Sequence, residues 1–559
     1  MKRQTILLLL ILCIGAAIRL WQLGHVPPSP DWDEAALGYN AYSIMQTGKD
    51  EYGKFLPVVL RSFDDYKPAM YAYFIIPFIP VFGLNIISVR LPAVLFGLLA
   101  IVATYYLVKE LFGEHISIGK KHIPVYYFAL TASFLLAIAP WHIQFSRIAF
   151  ESQIGDAFNI FSALFLLKGL KKPWFLSLAT FCMAFNLYVY QSEKVFTPLL
   201  FMAFVIIYRK QLFAISKRYL ILAALIGIIT ALPMIYYTVT NKEALARARG
   251  VSVFADQTQL LKNNAVRLIE DKKNHDIIGQ IVDNRRILFG REIIFGYLSH
   301  YDLNWLFIKG DLARHHAPQM GLLYLWELPF LLIGIYLLLR SNIDKKAKWF
   351  IFAWFLLVPI PASITSGVPH AVRTLNFLPT FQIFTALGII AFYNQISNIK
   401  YQISKIKIKY VILASCFLFL TFNILYYLDQ YFVQQNYYNS KEWQYGYEEA
   451  VSTVKSVENN YYKIIVSNKP HLDQSYMFFL FYLQYSPMNY HQESQKVSGG
   501  FKENHQFGKY EFRPIQWDIE QKASKILYVG RPNDIPDNAH ILKTIYFLNG
   551  DSAIKIAEG

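Results

Sequence analysis

Three carboxylates stand within four residues near the start of the chain, at Asp31, Asp33 and Glu34. They follow an apolar run directly, so the sequence predicts that they lie at the mouth of a membrane bundle. Charged groups there are costly unless they have a task, and a carboxylate in that place can act as a general base on a hydroxyl. The same acids also suit the start of a helix over 33–46, as N-cap and dipole partner. Both interpretations stay open at this point.

Basic side chains recur in short motifs at the ends of other apolar runs. They are Lys67, Arg90, and the pair His370 and Arg373, which stand one helical turn apart. Such cations suit a phosphate or diphosphate group. Snorkelling to the membrane surface is the plainer interpretation of Lys67.

Further polar side chains lie near these motifs. His142, Arg147 and Glu151 share one segment, Tyr190 belongs to a polar hinge between two apolar runs, and Asp65 belongs to an acidic pair beside Lys67. Two of them, Arg147 and Glu151, are four residues apart and can simply pair on one helix face. Each motif is weak alone.

The composition is that of a membrane protein. Of 559 residues, 55% are hydrophobic and only 16% are charged, whereas soluble proteins have about 25% charged residues. The formal net charge of +16 does not indicate a nucleic-acid partner, because the basic residues gather in short loops between apolar runs. All three cysteines lie within apolar runs, so neither a disulfide framework nor a thiolate metal site is supported.

Twelve apolar runs have about the length that a membrane crossing requires. They fall near residues 5–22, 69–84, 89–109, 123–139, 154–168, 173–190, 194–208, 218–239, 321–340, 348–366, 372–394 and 409–428. Five basic loops should be cytoplasmic together with the N-terminus, which requires that one early run does not cross. The run 69–84 is the candidate because it carries Pro77 and Pro80. About eleven spanning helices remain.

This topology places the unusual polar motifs on the extracytoplasmic face. The outer segments are 23–88, with interfacial helices, 140–153, 190–194, 240–320, 366–372 and the tail from 429. A cleft that binds a lipid-linked phosphate beside a carboxylate base explains why these residues are sorted to one side.

The apolar runs stop at about residue 429. Short buried strands are predicted at 463–467 and 525–530, and a helix at 477–485. The sequence therefore predicts a polytopic α-helical transmembrane domain over 1–428 and an extracytoplasmic soluble α/β domain over 429–559.

The order of these motifs resembles that of the GT-C glycosyltransferases. The most similar group is family 39, the dolichyl-phosphate-mannose–protein mannosyltransferase-like enzymes, which include bacterial aminoarabinose transferases of lipid A. The motifs that carry the resemblance are Asp33-Glu34, Lys67-Pro68, Arg90-Leu91-Pro92, Ser146-Arg147 with Glu151, and Pro369-His370-Ala371 with Arg373. The resemblance extends over about residues 5–395. The family often has Pro-Pro after the basic residue, where this chain has Pro68-Ala69.

The resemblance implies transfer of a sugar from a polyprenyl-phosphate donor to an acceptor hydroxyl outside the cytoplasm, by an inverting displacement. It implies that Asp33, with its neighbour Glu34, is the catalytic carboxylate. The candidates for binding the donor phosphate are Lys67, Arg90, His370 and Arg373. The candidates for the sugar or acceptor pocket are Asp31, Asp65, His142, Arg147, Glu151 and Tyr190.

The choice between Asp31 and Asp33 as the base stays open. Two acids can also hold a divalent cation, but no third ligand is evident, so we expect no obligatory metal or other cofactor. The expected partners are the lipid bilayer of a plasma (inner) membrane, the polyprenyl-phosphate-linked sugar, and an acceptor protein, lipid or glycan. The alternatives are a transporter or flippase of lipid-linked saccharides, which predicts inverted repeats and charges at mid-helix depth, and a membrane sensor with an outer C-terminal domain.

Overall fold

The computed structural model describes residues 3–63, 65–118, 121–241, 250–255, 258–340, 343–397, 402–403, 406–493, 504–522 and 525–559. Helices α1 to α11 are Arg3–Leu20, Trp32–Thr47, Met70–Ile75, Ile79–Phe82, Ile86–Phe112, Val125–Ile138, Pro140–Ser146, Ser152–Gly169, Phe175–Asn186, Glu193–Leu212 and Lys217–Thr240. Helices α12 to α19 are Thr258–Lys273, Ile277–Val282, Arg285–Ser299, Glu327–Arg340, Lys345–Leu357, Ile360–Ser363, Thr380–Ser397 and Ile408–Asp429. Helices α20 to α23 are Gln435–Asn439, Tyr447–Val457, Ser475–Leu483 and Pro487–Glu493.

Six of the described helices are long and apolar enough to cross a membrane, and α6 with α7 forms a further candidate bent by 60°. The predicted polytopic helical membrane fold is therefore confirmed. Helices α8, α9, α15 and α16 occupy four other predicted crossings and have 12 to 18 residues. They are shorter than the ~20 residues of a perpendicular crossing.

The apolar run at 69–84 is broken, as its prolines predict. It consists of α3, a 3₁₀ turn over Ile76–Phe78 and α4, which ends at Gly83. Pro77 and Pro80 each stand in the first turn of a piece, where a missing N–H costs nothing. Together the pieces span only Met70–Phe82, which is shorter than the ~20 residues of a perpendicular crossing.

Helices α15 and α18 touch through two glycines. A Cβ atom added at Gly334 would lie 1.8 Å from the carbonyl oxygen of Phe384, and one added at Gly388 would lie 1.9 Å from that of Phe330. Glycine is therefore required at both positions. Such small-residue contacts are typical of helix pairs in membranes, where close backbone approach supplies the packing energy.

The C-terminal part contains a six-stranded sheet. Its strands β7 to β12 are Lys463–Val466, His505–Phe507, Tyr510–Phe512, Ile526–Gly530, His540–Tyr546 and Ser552–Glu558, in the order β11-β12-β10-β7-β9-β8. Strand β7 is parallel to β10 and β9, and the other pairs are antiparallel. The two predicted strands match β7 and β10, and the predicted helix matches α22.

Three two-stranded hairpins precede this sheet. Strands β1 to β6 are Val59–Ser62, Asp65–Pro68, His115–Ile118, Lys121–Pro124, Gln402–Ile403 and Ile406–Lys407. The first hairpin pairs Leu60 with Lys67. The predicted site residue Lys67 is thus positioned by the backbone pairing of this hairpin.

The C-terminal part packs directly on α2. The Trp32 N–H donates to Oε1 of Gln444 at 3.2 Å, and Nε2 of Gln444 donates to the Asp473 carbonyl at 3.1 Å. Further along α2, the Tyr39 hydroxyl donates to the Tyr485 carbonyl at 3.2 Å. One cluster of buried apolar residues runs from the helical bundle into α21, α22 and the sheet. The C-terminal part therefore shares its core with the helices.

One carboxyl group is buried in the loop that follows α2. Glu51 is 2% exposed, and within the described part of the chain its Oε2 has no hydrogen-bond partner. Burial raises the pKa of Glu51 from its ordinary value of 4.5 to about 8, helped by the nearby Asp50. The folded protein therefore binds this proton more tightly than the unfolded chain does.

Because the pKa of Glu51 is raised on folding, stability should fall as the pH rises from about 4.5 to 8. We expect Glu51→Gln to raise the unfolding temperature by several degrees at pH 9 and by much less at pH 5. Thermal unfolding in detergent at a series of pH values measures this. The exposed Glu442→Gln is the control, and parallel pH curves for wild type and Glu51→Gln would contradict the prediction.

Candidate active site

A cavity of about 170 Å³ opens at the N-terminal end of α2. It is lined by Asp33, Lys67, Phe150, Glu151, Tyr190, Gln191, Leu312, Arg314, His315, His370 and Val372. Five of the sequence-predicted site residues come together here, namely Asp33, Lys67, Glu151, Tyr190 and His370. They are drawn from five separate segments of the chain, so the fold assembles them.

Asp33 and Lys67 form an ion pair inside this cavity. Oδ1 of Asp33 accepts a hydrogen bond from Nζ of Lys67 at 2.8 Å, and the two side chains are 36% and 7% exposed. Burial alone would lower the pKa of Lys67, but the nearby Asp33 and Glu151 outweigh it and raise that pKa. Lys67 is therefore a firmly charged ammonium group beside an accessible carboxylate.

Asp31 has a different place. It is 1% exposed, and its Oδ1 accepts the Glu34 N–H at 2.8 Å as the N-cap of α2. Its Oδ2 accepts from Nη1 of Arg314 at 2.6 Å. Burial raises the pKa of Asp31 to about 6, although Arg314 acts against this. The cavity is lined by Asp33 and not by Asp31, which is the geometric difference between the two acids.

Arg90 lies in α5 and is completely buried. Its Nε and Nη2 donate to the two carboxylate oxygens of Glu34, each at 2.9 Å. The remaining N–H groups donate to the carbonyls of Leu23, Pro27 and Ser29 at 2.9–3.0 Å. All five donors of a guanidinium group are thus occupied.

The structure therefore does not bring Glu34, predicted to act in catalysis, or Arg90, predicted to bind phosphate, into this cavity. Neither side chain lines the cavity. In their ion pair the charge of each side chain neutralises that of the other. Oε1 of Glu34 also accepts the Ala149 N–H at 2.9 Å. The pair joins α2, α5 and the segment before Glu151, so its role is to hold the cavity walls together.

Arg147 and His142 are also buried away from the cavity. The Nη atoms of Arg147 donate to three backbone carbonyls around the end of α1 at 2.7–2.9 Å. Its guanidinium carbon lies 4.8 Å from the ring centre of Phe432. Nδ1 of His142 lies 2.6 Å from Nη2 of Arg19. The structure therefore does not bring these two predicted sugar-pocket residues into the cavity, and both side chains bind other parts of the bundle.

Arg373 and Asp65 complete the set of predicted residues. Nη1 of Arg373 donates to the Ser366 carbonyl at 2.8 Å, and Arg373 does not line the cavity. The structure therefore does not support its assignment as a phosphate ligand of this cavity. Asp65 begins β2, but its side chain lies outside the described residues.

Three residues that the sequence reasoning missed stand in the segment 311–316. Arg314 lines the cavity and stacks on Trp32, with 4.8 Å from its guanidinium carbon to the ring centre. His315 lines the cavity, and its Nδ1 lies 3.1 Å from Oδ2 of Asp311. The signal was the run Asp-Leu-Ala-Arg-His-His inside a loop already predicted to lie on the outer face.

The carboxylate of Asp311 is held ionised by its neighbours. It accepts the Ala371 N–H as well as the bond with His315. Burial would raise the pKa of Asp311, but the hydrogen bond from His315 and the charge of His370 hold it at about 2. The two chain segments on either side of the cavity are thereby linked.

Residues 66–237 match the family model described as dolichyl-phosphate-mannose-protein mannosyltransferase. The fold is similar to that of ArnT from Cupriavidus metallidurans, in its apo state and bound to undecaprenyl phosphate. Each match has 11% identity and a TM-score of 0.51, and covers 99% of this chain and 97% of that one.

A weaker likeness is to the oligosaccharyltransferase AglB from Archaeoglobus fulgidus in complex with an inhibitory peptide and a dolichol-phosphate. It has 10% identity and a TM-score of 0.49, and covers 86% of this chain and 63% of AglB. The chain thus spans less than two thirds of the length of AglB. No curated protein matches the sequence at a significant level.

The ArnT likeness covers nearly the whole chain, whereas the mannosyltransferase pattern covers a segment that includes β2, α5 and α8. The resemblance inferred from the sequence is confirmed: the fold is similar to that of ArnT, and residues 66–237 match the mannosyltransferase model.

Proposed function

We propose that this protein transfers a sugar from a polyprenyl-phosphate-linked donor to a hydroxyl of an acceptor, with inversion at the anomeric carbon. The observation that carries the proposal is the cavity in which the accessible Asp33 carboxylate stands beside Lys67, Arg314 and two histidines. A base beside a group of cations suits the attack of a hydroxyl with departure of a phosphate. The mannosyltransferase-like segment and the undecaprenyl phosphate bound by ArnT support this choice of donor.

In the proposed reaction Asp33 takes the proton of the acceptor hydroxyl as its oxygen attacks the anomeric carbon. The bond from that carbon to the phosphate oxygen breaks, and its electron pair leaves with the lipid phosphate. Negative charge therefore builds on the phosphate, where fixed cations lower the barrier. Lys67 and Arg314 are the proposed cations, in place of the buried Arg90, and His370 is proposed to lie beside the same phosphate.

The ion pair between Asp33 and Lys67 gives this mechanism an order of events. Before the donor binds, Nζ of Lys67 donates to one oxygen of this carboxylate at 2.8 Å. A phosphate that draws Lys67 toward itself would free that oxygen to accept the proton of the hydroxyl. Glu151 and Tyr190, on other walls of the cavity, are proposed to contact the sugar or the acceptor.

The proposed orientation follows from the charge of the loops. The N-terminus is cytoplasmic, and the cavity and the part beyond residue 429 face the extracytoplasmic side of a plasma membrane. We keep the division into a transmembrane catalytic part, 1–428, and a C-terminal α/β part, 429–559, as part of this proposal.

The experiment that tests the function is the release of sugar from radiolabelled polyprenyl-phosphate hexoses by purified protein, with extracts as the acceptor source. We expect time-dependent release and free polyprenyl phosphate in equal amounts. Donor binding without turnover in any extract would contradict the enzyme and favour a transporter of the same lipid.

Replacing Lys67 should weaken the binding of the donor phosphate. We expect Lys67→Met to raise the dissociation constant for undecaprenyl phosphate about 10–100-fold, the value of one lost charge-assisted hydrogen bond. Titration of the lipid in detergent micelles measures this. The matched control is Lys171→Met, because Lys171 is 66% exposed and pairs with Glu110 away from the cavity. Equal affinities for the two variants would remove Lys67 from the phosphate site.

A further inference from the structure

Two histidines and a carboxylate converge at one side of the cavity. Asp311 and His315 come from the segment before α15, and His370 comes from the loop before α18. One potential ligand atom from each lies within 4.8 Å of the other two. Within the described ranges of the chain, this is the one group of three such residues close enough to share a metal ion.

The donor set has the chemistry of a transition-metal site. Two imidazoles with one carboxylate are the ligands of catalytic zinc sites, which keep a further coordination position open. Ligand atoms at about 2.0–2.2 Å from one ion stand roughly 3.3 Å apart in a tetrahedron. Nδ1 of His315 and Oδ2 of Asp311 are already 3.1 Å apart, so only a small side-chain movement is needed to gather the three.

The surrounding contacts hold the three ligands in place. The Ala371 N–H donates to Oδ2 of Asp311, and the backbone N–H of His370 donates to Nε2 of His300 at 3.2 Å. The ring of His315 stands 5.7 Å from that of Phe150, in an edge-to-face arrangement. Outer contacts of this kind orient the ligands of metal sites and strengthen binding.

We propose that Asp311, His315 and His370 bind a divalent transition metal of the zinc class. His315 and His370 line the cavity that also contains Asp33 and Lys67, so an ion bound by them would lie beside this cavity. The role of the ion rests on the proposed function: it would coordinate an oxygen of the leaving phosphate. The alternative is an ion pair between Asp311 and a protonated histidine without metal.

Metal binding by the purified full-length protein tests the site without any donor. The protein is stripped with a chelator and titrated with Co²⁺ by visible absorption, and Zn²⁺ is then added in competition. We expect one saturable site for each chain, with Zn²⁺ displacing Co²⁺. We expect His315→Ala, His370→Ala and Asp311→Asn each to lower the affinity at least 100-fold. Absence of a saturable site in the wild type would overturn the proposal.

The matched control is His316→Ala, because His316 is the next residue along the chain and does not line the cavity. Its side chain is bonded to the Ala317 carbonyl. We expect it to bind Co²⁺ as the wild type does. Equal affinity of wild type and His370→Ala would also overturn the site, and the monodisperse elution and thermal unfolding of each variant show whether it is folded.

A separate assay of sugar release tests the proposed function and the role of the ion in it. We expect the chelated wild type to lose at least tenfold in sugar release and to regain it with Zn²⁺. We expect Asp33→Asn to bind the metal normally. If the protein binds metal but releases no sugar, the proposed glycosyltransferase function is contradicted and the proposed metal site still stands. Sugar release that is unchanged by chelation overturns the role of the ion at the phosphate.

Discussion

Asp33→Asn is expected to abolish most of the sugar release while the protein still folds and binds the donor lipid. The amide keeps the shape of the side chain but cannot take a proton from the acceptor hydroxyl. General-base catalysis contributes about 10²–10⁴-fold, so we expect kcat to fall by that factor. Because Asp33 is 36% exposed, the change removes little packing. Single-turnover release of radiolabelled sugar is the measurement.

Two further variants, Asp518→Asn and Glu34→Gln, are the controls for the loss of sugar release in Asp33→Asn. Asp518→Asn, at an exposed position outside the cavity, should release sugar as the wild type does. Glu34→Gln should instead lower the unfolding temperature, because Glu34 neutralises the buried Arg90. An Asp33→Asn protein with more than a tenth of the wild-type kcat would remove Asp33 from the role of base.

Arg90→Met is expected to have the largest effect on stability. It leaves the buried Glu34 carboxylate without its partner, and three backbone carbonyls lose their donors. Removing one member of a buried ion pair costs about 3–5 kcal/mol, which is a large part of the stability of most proteins. Thermal unfolding in detergent and the yield of monodisperse protein measure the loss.

The double variant Arg90→Met with Glu34→Gln distinguishes this explanation from a lost phosphate ligand. Without either charge the burial penalty disappears, so we expect the double variant to be more stable than Arg90→Met alone. The affinity of its folded fraction for undecaprenyl phosphate should stay within about threefold of the wild type. A loss of affinity with an unchanged unfolding temperature would return Arg90 to the phosphate site.

The sequence predicts which polar groups are unusual better than it predicts what each one does. Asp33, Lys67, Glu151, Tyr190 and His370 were all selected because they sit at the ends of apolar runs, and all line one cavity. Charge in such places is costly, so its presence indicates a task. The task itself depends on partners that are far away along the chain.

Arg90 and Arg147 show this limit most clearly. Both are arginines at the predicted outer face, as a phosphate ligand would be. Their partners are Glu34 and the carbonyls around the end of α1, 56 and up to 129 residues away. No local pattern records such a contact. Helix and strand positions, in contrast, depend on nearby residues, and the runs at 89–109 and 525–530 match α5 and β10.

The segment 311–316 was missed for a related reason. It lies in a long loop without strong periodicity, so it offered no element on which to place its side chains. Its Arg314 and His315 enter the cavity only because the loop folds back against Trp32 and Phe150. The composition of the segment was informative, but its position was not.

The contact between Gln444 and the start of α2 has a consequence for the order of biosynthesis. A ribosome completes the helices up to α19 before it makes Gln444. The Trp32 N–H therefore has no Gln444 acceptor until more than four hundred further residues have been added. Phe432, which covers Arg147, is also made late. A nascent chain halted before Gln444 would contain every residue that lines the cavity. It would lack the hydrogen bond between Gln444 and the start of α2, the helix that contains Asp33. If the protein acts as proposed, we expect products that end before Gln444 to release less sugar than the full chain, because Trp32 then lacks this hydrogen-bond partner.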